Sequence, residues 1–228
     1  MKAIEVKELL RDLGVDLCGI APIDRFDSAP EGFHPTDVLP ACKSVIVFAK
    51  KFPVGVLRSN TTVPYTIVRN TLSSELDLLS VQVCALLEGR GIVALPTGTI
   101  SHNQYDPKTD RFRSIVSAKH AAVAAGLGRI GKNSLLITPE YGNMVWLNAV
   151  LTEADLEPDE ALTGSPCAEH CSICIEACPA AALGKAEVNQ GACFAHAFQT
   201  EEGEEFRIKC HECRSLCPLC FGERNRHL

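Results

Sequence analysis

With 228 residues, 46% of them hydrophobic, the chain can bury one good core plus a small satellite, and it has no charge-free run of about 18 apolar residues to span a membrane. Its net charge of −6 is uneven: residues 1–150 hold 16 basic and 14 acidic side chains, and residues 151–228 hold 6 and 14. The acidic C-terminal third offers phosphates no general attraction, which argues against a nucleic-acid partner. The first twenty residues carry acids and bases throughout, unlike a secretory signal, so the expected location is the cytoplasm.

In chain order, residues 2–13 read as a short amphipathic helix with Ile4, Val6, Leu9, Leu10 and Leu13 on its apolar positions, stopped by Gly14. DLCGIAP (16–22) is predicted as a strand, Asp24 to Pro40 as loop, and KSVIVFAK (43–50) as the clearest buried strand. Pro53 to Pro64 should be irregular. Residues 66–88 turn helical through Leu72, Leu76, Leu79, Val83 and Leu86, and GIVALPT (91–97) follows as another strand. After a polar loop comes a helix ending at AKHAAVAAG, then strands SLLIT (134–138) and MVWLNAVLT (144–152) separated by the turn PEYGN. Strands and helices mix without strict alternation, which predicts an α+β domain over residues 1–151 with a mixed, partly antiparallel sheet and flanking helices. TEADLEPDEALTGSP (152–166) reads as a linker, and residues 167–228 as a second, ferredoxin-like module.

Nine of the twelve cysteines lie between Cys167 and Cys220, which marks that module as a metal site in a reducing compartment rather than a disulfide framework. Two motifs carry it: Cys167-x3-Cys171-x2-Cys174-x3-Cys178-Pro179 and Cys210-x2-Cys213-x3-Cys217-Pro218-x-Cys220, with Cys193 alone between them. In two-cluster ferredoxins the proline-preceding cysteine serves the other cluster. On that logic one 4Fe–4S cluster takes Cys167, Cys171, Cys174 and Cys217, and the other takes Cys178, Cys193, Cys210 and Cys213, leaving Cys220 over. Zinc is the competing reading, with Cys210, Cys213, Cys217 and Cys220 as a compact four-thiolate set. It leaves the two Cys-Pro closures and the isolated Cys193 without a role. Two clusters form a short electron wire and imply a low-potential donor such as a ferredoxin or flavodoxin.

AGLGRIGKNSLLIT contains Gly126-x-Gly128-x-x-Gly131, the spelling of a dinucleotide fingerprint, and Gly126-x4-Gly131-Lys132, nearly a phosphate loop with Asn133 in the magnesium-ligand position. Both motifs require strand, turn, then helix; here a helix comes first, so the amides would not crown a helix N-terminus. Gly126 reads as a helix C-cap. The exposed amides of Gly126, Gly128, Arg129, Gly131 and Asn133, with Lys132, remain candidates to line the wall of a large cofactor site. His170, His196 and His211 are candidate donors to cluster sulfur. Tyr105, Asp106, Asp110, His102 and His120 share the polar region before the glycine turn, with no spacing that dictates catalysis.

These segments together resemble the epoxyqueuosine reductase family, corrinoid and iron–sulfur proteins related to reductive dehalogenases. The likeness runs through LGVDLCGIAP (13–22), KSVIVFAKKFP (43–53), Tyr65 with Arg69, AGLGRIGKNSLLIT (125–138), and the cysteine module. It implies the same crossed cluster ligands and a cobalamin held over a proximal cluster. The resemblance also marks departures: Phe112 stands where the family has an aspartate proton donor, Arg129 stands where a tryptophan is usual, and the C-terminal helical repeats that help hold transfer RNA are not expected after Leu228. The leading expectation is therefore an iron–sulfur redox protein delivering electrons to a corrinoid, bound in the first domain or presented by a partner corrinoid protein. A divergent corrinoid-dependent reductase using Asp106, Asp110 or His120 as its acid, and a ferredoxin-like carrier without corrinoid, are the alternatives.

Overall fold

Every second residue of SVIVFAKK faces the same way, and both faces of this strand are buried. In the computed structural model, Val45, Val47 and Ala49 enter one apolar cluster, and Ile46 and Phe48 enter another on the opposite side. The structure describes residues 1–99, 112–184, 188–198 and 206–222, and the backbone alone of 104–106 and 111. His102 and Asp110, and the side chains of Tyr105 and Asp106, therefore lie outside the described residues.

The elements follow as α1 (Ala3–Asp12), β1 (Leu17–Pro22), the single turn α2 (Pro35–Val38), β2 (Ser44–Lys51), α3 (Val63–Glu88) and β3 (Ala94–Pro96). After them come β4 (Gln104–Asp106), β5 (Arg111–Arg113), α4 (Ala118–Ala124), β6 (Arg129–Ile130), β7 (Leu136–Ile137) and β8 (Val145–Thr152). The cysteine-rich part holds three short helices, α5 (Ile173–Glu176), α6 (Gln190–Ala197) and α7 (Glu212–Ser215). The main sheet has the order β1-β2-β8-β3 with every pairing antiparallel, and helices flank it, an α+β fold. On one face α1 and α3 pack through Val6, Leu10, Leu76, Val83 and Leu87; on the other α4 packs through Ala121, Ala122 and Ala124. The small residues of α4 bring that helix close to the sheet.

The segment read as loop between Asp24 and Pro40 holds a 3-10 turn at Ile23–Phe26 and the turn α2. Helix α3 starts earlier than the apolar periodicity suggests because Pro64 occupies its first turn, where a missing N–H costs nothing. Residues 153–166 are docked along the first domain rather than spanning open space. The Asp159 carboxylate accepts from Lys7 Nζ at 2.6 Å and from the Ile20 amide at 2.8 Å, and Leu156 is buried.

At the far ends of β2 and β8 a third apolar cluster, with Phe52, Tyr65, Leu72 and Met144, takes in Ile208 and Cys220 and so joins the cysteine-rich part to the sheet. No helix among the described residues is long and apolar enough to cross a membrane.

Cys84, buried on the inner face of α3, has its thiol pushed up to about 11, first by burial and then by the charge of Glu88. The unfolded thiol ionises near 9, so between about pH 9 and 11 the unfolded chain gives up a proton that the folded chain keeps, and stability falls as pH rises. Cys84→Ala removes this contribution. The stability gap between wild type and Cys84→Ala, measured by urea unfolding, should shrink by on the order of 2 kcal/mol from pH 8 to pH 11.

Candidate functional site

Helix α4 ends as a Schellman motif: the Leu127 amide donates to Ala122 O and the Gly126 amide to Val123 O, with Gly126 at φ +72. The chain then forms the β6–β7 hairpin, so the glycine-rich stretch follows a helix and no strand–turn–helix cradle forms. Within the hairpin turn Ser134 adopts a left-handed φ of +59, sparsely populated for a residue with a side chain. Gly126 packs against the Glu160 backbone and Gly128 against the Ile137 carbonyl.

Lys132, at the tip of this turn, reaches into the cysteine-rich part. Its ammonium donates to the carbonyls of Ala168, Glu169 and Cys171 at 3.2, 2.6 and 2.9 Å, and its backbone amide donates to Cys167 Sγ at 3.3 Å. Next to it, Asn133 Nδ2 donates to Cys213 O at 3.0 Å, and farther on Asn143 Nδ2 donates to Arg214 O at 3.2 Å. Two consecutive residues of the glycine turn thus hold loops from both cysteine motifs. Arg129 instead donates to Thr163 O.

The two motifs fold alike, each with a one-turn helix around an inner motif cysteine, Cys174 in α5 and Cys213 in α7, and a Cys-Pro closure, and α5 packs against α7. This packing brings the thiols together in two groups. Burial raises the Cys174 thiol, and the nearby charges of Cys167, Cys217 and Cys171 raise it further. Burial also raises Cys217, which Cys167 and Cys171 neighbour as well, against hydrogen bonds from the Leu219 amide and Asn143. In the other group burial pushes Cys213 up to about 11, with Cys193, Cys210 and Cys178 adding to it against the Arg214 charge; Cys193 is raised by burial and by Cys178 and Cys210. The Ala182 amide donates to Cys178 Sγ at 3.3 Å. Among the described residues, no three His, Cys, Asp or Glu side chains come close enough to hold a single metal ion. Cys220 stands apart in the third apolar cluster, its thiol pushed up to about 12 by burial.

His170 and His196 are exposed. His211 lies against Tyr65, with ring centroids 4.8 Å apart, and its buried Nδ1 has no partner. Burial lowers its pKa, with the Arg214 charge a smaller push in the same direction.

Beside the glycine turn opens a cavity of about 1130 Å³. Its walls are the loop after β1 (Arg25, Phe26, Phe33), the start of α4 (Ser117, Lys119, His120), the turn residues Gly131, Lys132 and Ser134, and Ile175, Leu183 and Gln190 from the cysteine-rich part. Of the glycine-turn residues singled out in the sequence, Gly131 and Lys132 line this cavity; Gly126, Gly128, Arg129 and Asn133 do not. Phe112 lines it half-buried, its amide donating to Gln190 Oε1 at 2.7 Å and its ring 4.9 Å from that of Phe194 on α6.

Arg25, Arg113, Lys119, His120 and Lys132 all face the cavity, and no Asp or Glu is among its described lining residues. A chain of net charge −6 therefore presents a locally positive cleft. Burial lowers the pKa of Lys119, whose ammonium donates to Ser134 Oγ at 2.7 Å and to Ser134 O at 3.1 Å. The His120 pKa is lowered by desolvation in the wall and then by Lys119, with Nδ1 2.7 Å from Ser117 Oγ. Lys119, Ser134, Asn143 and Arg214 were not picked out from the sequence, for they lie far apart along the chain; Ser134 falls inside the glycine stretch and Arg214 between two motif cysteines, at positions to which no spacing gives a role.

No protein-family model matches the chain. It is 28% identical to an epoxyqueuosine reductase of Bacillus subtilis over 96% of this chain and 64% of the relative. It is 36% identical to one of Listeria monocytogenes over 49% of this chain and 33% of the relative. An epoxyqueuosine reductase solved with an epoxyqueuosine-modified tRNA-Tyr stem loop superposes with TM-score 0.65 at 23% identity, over 95% of this chain and 64% of that one. In sequence the chain is similar to epoxyqueuosine reductases. A catabolic reductive dehalogenase solved with 3-bromo-4-hydroxybenzoic acid shares the fold at TM-score 0.69 and 14% identity, over 97% of this chain and 32% of that one.

The chain spans less than two thirds of the length of these relatives. Their names support the corrinoid-dependent reductase alternative of the sequence reading better than electron delivery, its leading expectation. The tRNA-bound neighbour also stands against the expectation that nucleic acid is an unfavourable partner, and the positive cleft qualifies the charge argument behind it.

Proposed function

We propose that the chain is a corrinoid-dependent reductase of the epoxyqueuosine reductase type. In this reading one 4Fe–4S cluster sits on Cys167, Cys171, Cys174 and Cys217, a second on Cys178, Cys193, Cys210 and Cys213, and a corrinoid occupies the cavity beside the glycine turn. The observation that carries the reading is the wall shared by the two sites. Lys132 lines the cavity while its amide donates to Cys167 Sγ, so the first thiol group abuts the space a cofactor would fill. The residues present fit the groups: two sets of four thiols suit iron–sulfur ligation, and about 1130 Å³ exceeds the roughly 300–1,000 Å³ of ordinary ligand pockets, leaving room for a macrocycle.

When bound, the clusters supply single electrons and the corrinoid a low-valent cobalt centre. The chain's own residues hold and shield these groups. Lys132 fixes the loop from Ala168 to Cys171, and the Lys132 and Ala182 amides donate to the sulfurs of Cys167 and Cys178, contacts that would make the potentials of bound clusters less negative. A low-potential ferredoxin or flavodoxin is the electron source this scheme requires. The positive cleft favours an anionic substrate, and a tRNA stem loop like the one bound by the solved neighbour belongs to that class. Electron delivery without substrate chemistry is the second reading, carried by Phe112, whose ring in the cavity wall offers no proton.

Anaerobically purified, cluster-loaded protein should bind about one cobalamin per chain in at least one oxidation state, seen as a shift of the corrinoid absorption bands. With a strong reductant and epoxyqueuosine-containing tRNA, repeated turnover supports the reductase, and reduced cobalt without product supports the carrier. Absence of binding in every oxidation state would overturn both.

A further inference from the structure

Helices α1 and α3 lie on the same side of the main sheet, yet their outer surfaces differ in kind. The exposed residues of α1 are Ile4, Glu5, Glu8, Arg11 and Asp12, mostly charged, as a helix face in water should be. From Ile67 to Leu86, over about five turns, the exposed residues of α3 include no charge at all. Ile67 and Leu78 are each 60% exposed and Val81 is 55% exposed. The charged side chains of the stretch are half-buried and engaged: Glu75 pairs with Lys50, Asp77 accepts from the Thr99 amide at 2.8 Å, and Arg69 lies over the Trp146 ring.

The exposed residues also keep a period. Ile67, Thr71, Ser74, Leu78, Val81 and Ala85 follow one another in alternating steps of four and three, the seam along which two helices pack side by side. Inside the chain this seam meets nothing, because α3 packs on the sheet through its other face, with Leu76, Leu79, Val83 and Leu87. Which partner it suits follows from its composition. The stretch exposes no Lys or Arg, the cations by which helices settle on anionic lipid. A second copy brings the same uncharged surface, so no charge is stripped of water on either side.

We propose that two copies of this chain pair through α3, antiparallel about a two-fold axis that passes between Ser74 and Leu78. In this register Ile67 meets Ala85 and Leu78 meets Ser74, bulky against small, with Thr71 against Val81. Parallel pairing in register would set Leu78 against Leu78 and Ser74 against Ser74, leaving gaps beside the small residues. The pairing is independent of the reductase reading.

Sedimentation equilibrium of the cluster-loaded protein under anaerobic conditions, up to about 200 µM, tests it. The seam is about 27 Å long and about 10 Å wide, less than the ~800 Å² per partner of a standard stable interface. Wild type should therefore be half dimeric only on the order of 10–100 µM. Leu78→Glu sets two carboxylates beside the axis and should weaken association at least about tenfold. Ile67→Lys and Ala85→Glu should each weaken it alone, and an equimolar mixture of the two should recover it, because the antiparallel register sets the new cation of one copy against the new acid of the other. All three positions are exposed, so iron content should be unchanged in every variant. Wild type monomeric at the highest concentration, Leu78→Glu associating as wild type does, or a mixture no tighter than its separate components would each overturn the pairing. Binding of a monomeric wild type to phosphatidylglycerol–phosphatidylcholine vesicles, abolished by Leu78→Glu, would overturn it in favour of a lipid surface.

Discussion

Anaerobically prepared protein should contain about eight iron and eight acid-labile sulfide per chain, and Cys171→Ser should remove roughly half of both. The two thiol groups are separate: Cys174 has Cys167, Cys171 and Cys217 as its charged thiol neighbours, while Cys213 has Cys193, Cys210 and Cys178. Loss of one ligand from the first group leaves the second with its own four thiols, so one cluster should remain spectroscopically recognisable. Cys220→Ser and Cys220→Ala are the contrasting variants. Cys220 is 3% exposed among Phe52, Tyr65, Leu72 and Met144, and its thiol is pushed up to about 12, first by burial. Cys220 is not among the thiol neighbours of Cys174 or of Cys213, and its side chain packs as a small hydrophobe in the apolar cluster. Both variants should keep full iron. Stoichiometric zinc with iron near zero in wild type would remove the cluster reading, and iron loss in Cys220→Ala would show that the division into the two sets of four is wrong.

Much of this arrangement was legible in the sequence because its signals are local. The both-faced apolar run of β2, the periodicity of α3, the Gly126 helix end and the spacing of the cysteines each follow from residues close in the chain. The sheet order was not, since β8 inserts between β2 and β3 and pairs Ser44 with Thr152 across more than a hundred residues. The strand read over 134–138 shrinks to Leu136–Ile137 because Ser134 turns left-handed to meet Lys119. Polar contacts across distant segments, which no period announces, supplied the rest of the site. Lys132 reads in sequence as a candidate for the wall of a cofactor site; in the fold it lines the cavity and is also a fastener for the cysteine loop. Arg214 and Lys119 line one small recess of about 180 Å³ although 95 positions separate them.

Gly142→Ala should destabilise the protein by more than about 3 kcal/mol and should prevent retention of iron. Gly142 closes the turn between β7 and β8, exchanging hydrogen bonds with Thr138, and sits at φ +57. A Cβ there would lie 1.9 Å from Leu219 O, 2.4 Å from Cys220 O and 2.4 Å from Gly222 N. All three are backbone atoms, so no side-chain rotation relieves the overlap, and the strap carrying Cys217 and Cys220 has to move off the sheet. The hydrogen bond from the Asn143 amide to Cys220 O, 3.1 Å long, is lost with it. Gly32→Ala isolates the backbone cost from this clash, because Gly32 has φ +80 and nothing within 4 Å of an added Cβ. That variant should lose only the roughly 1–2 kcal/mol of left-handed strain. Urea unfolding and iron content of the two variants measure the difference. If they prove equally stable and equally loaded, the turn does not seat the cysteine strap; a gap of about 1 kcal/mol or more, with iron lost only from the Gly142 variant, places the anchor of the metal-binding region in a glycine that carries no chemistry of its own.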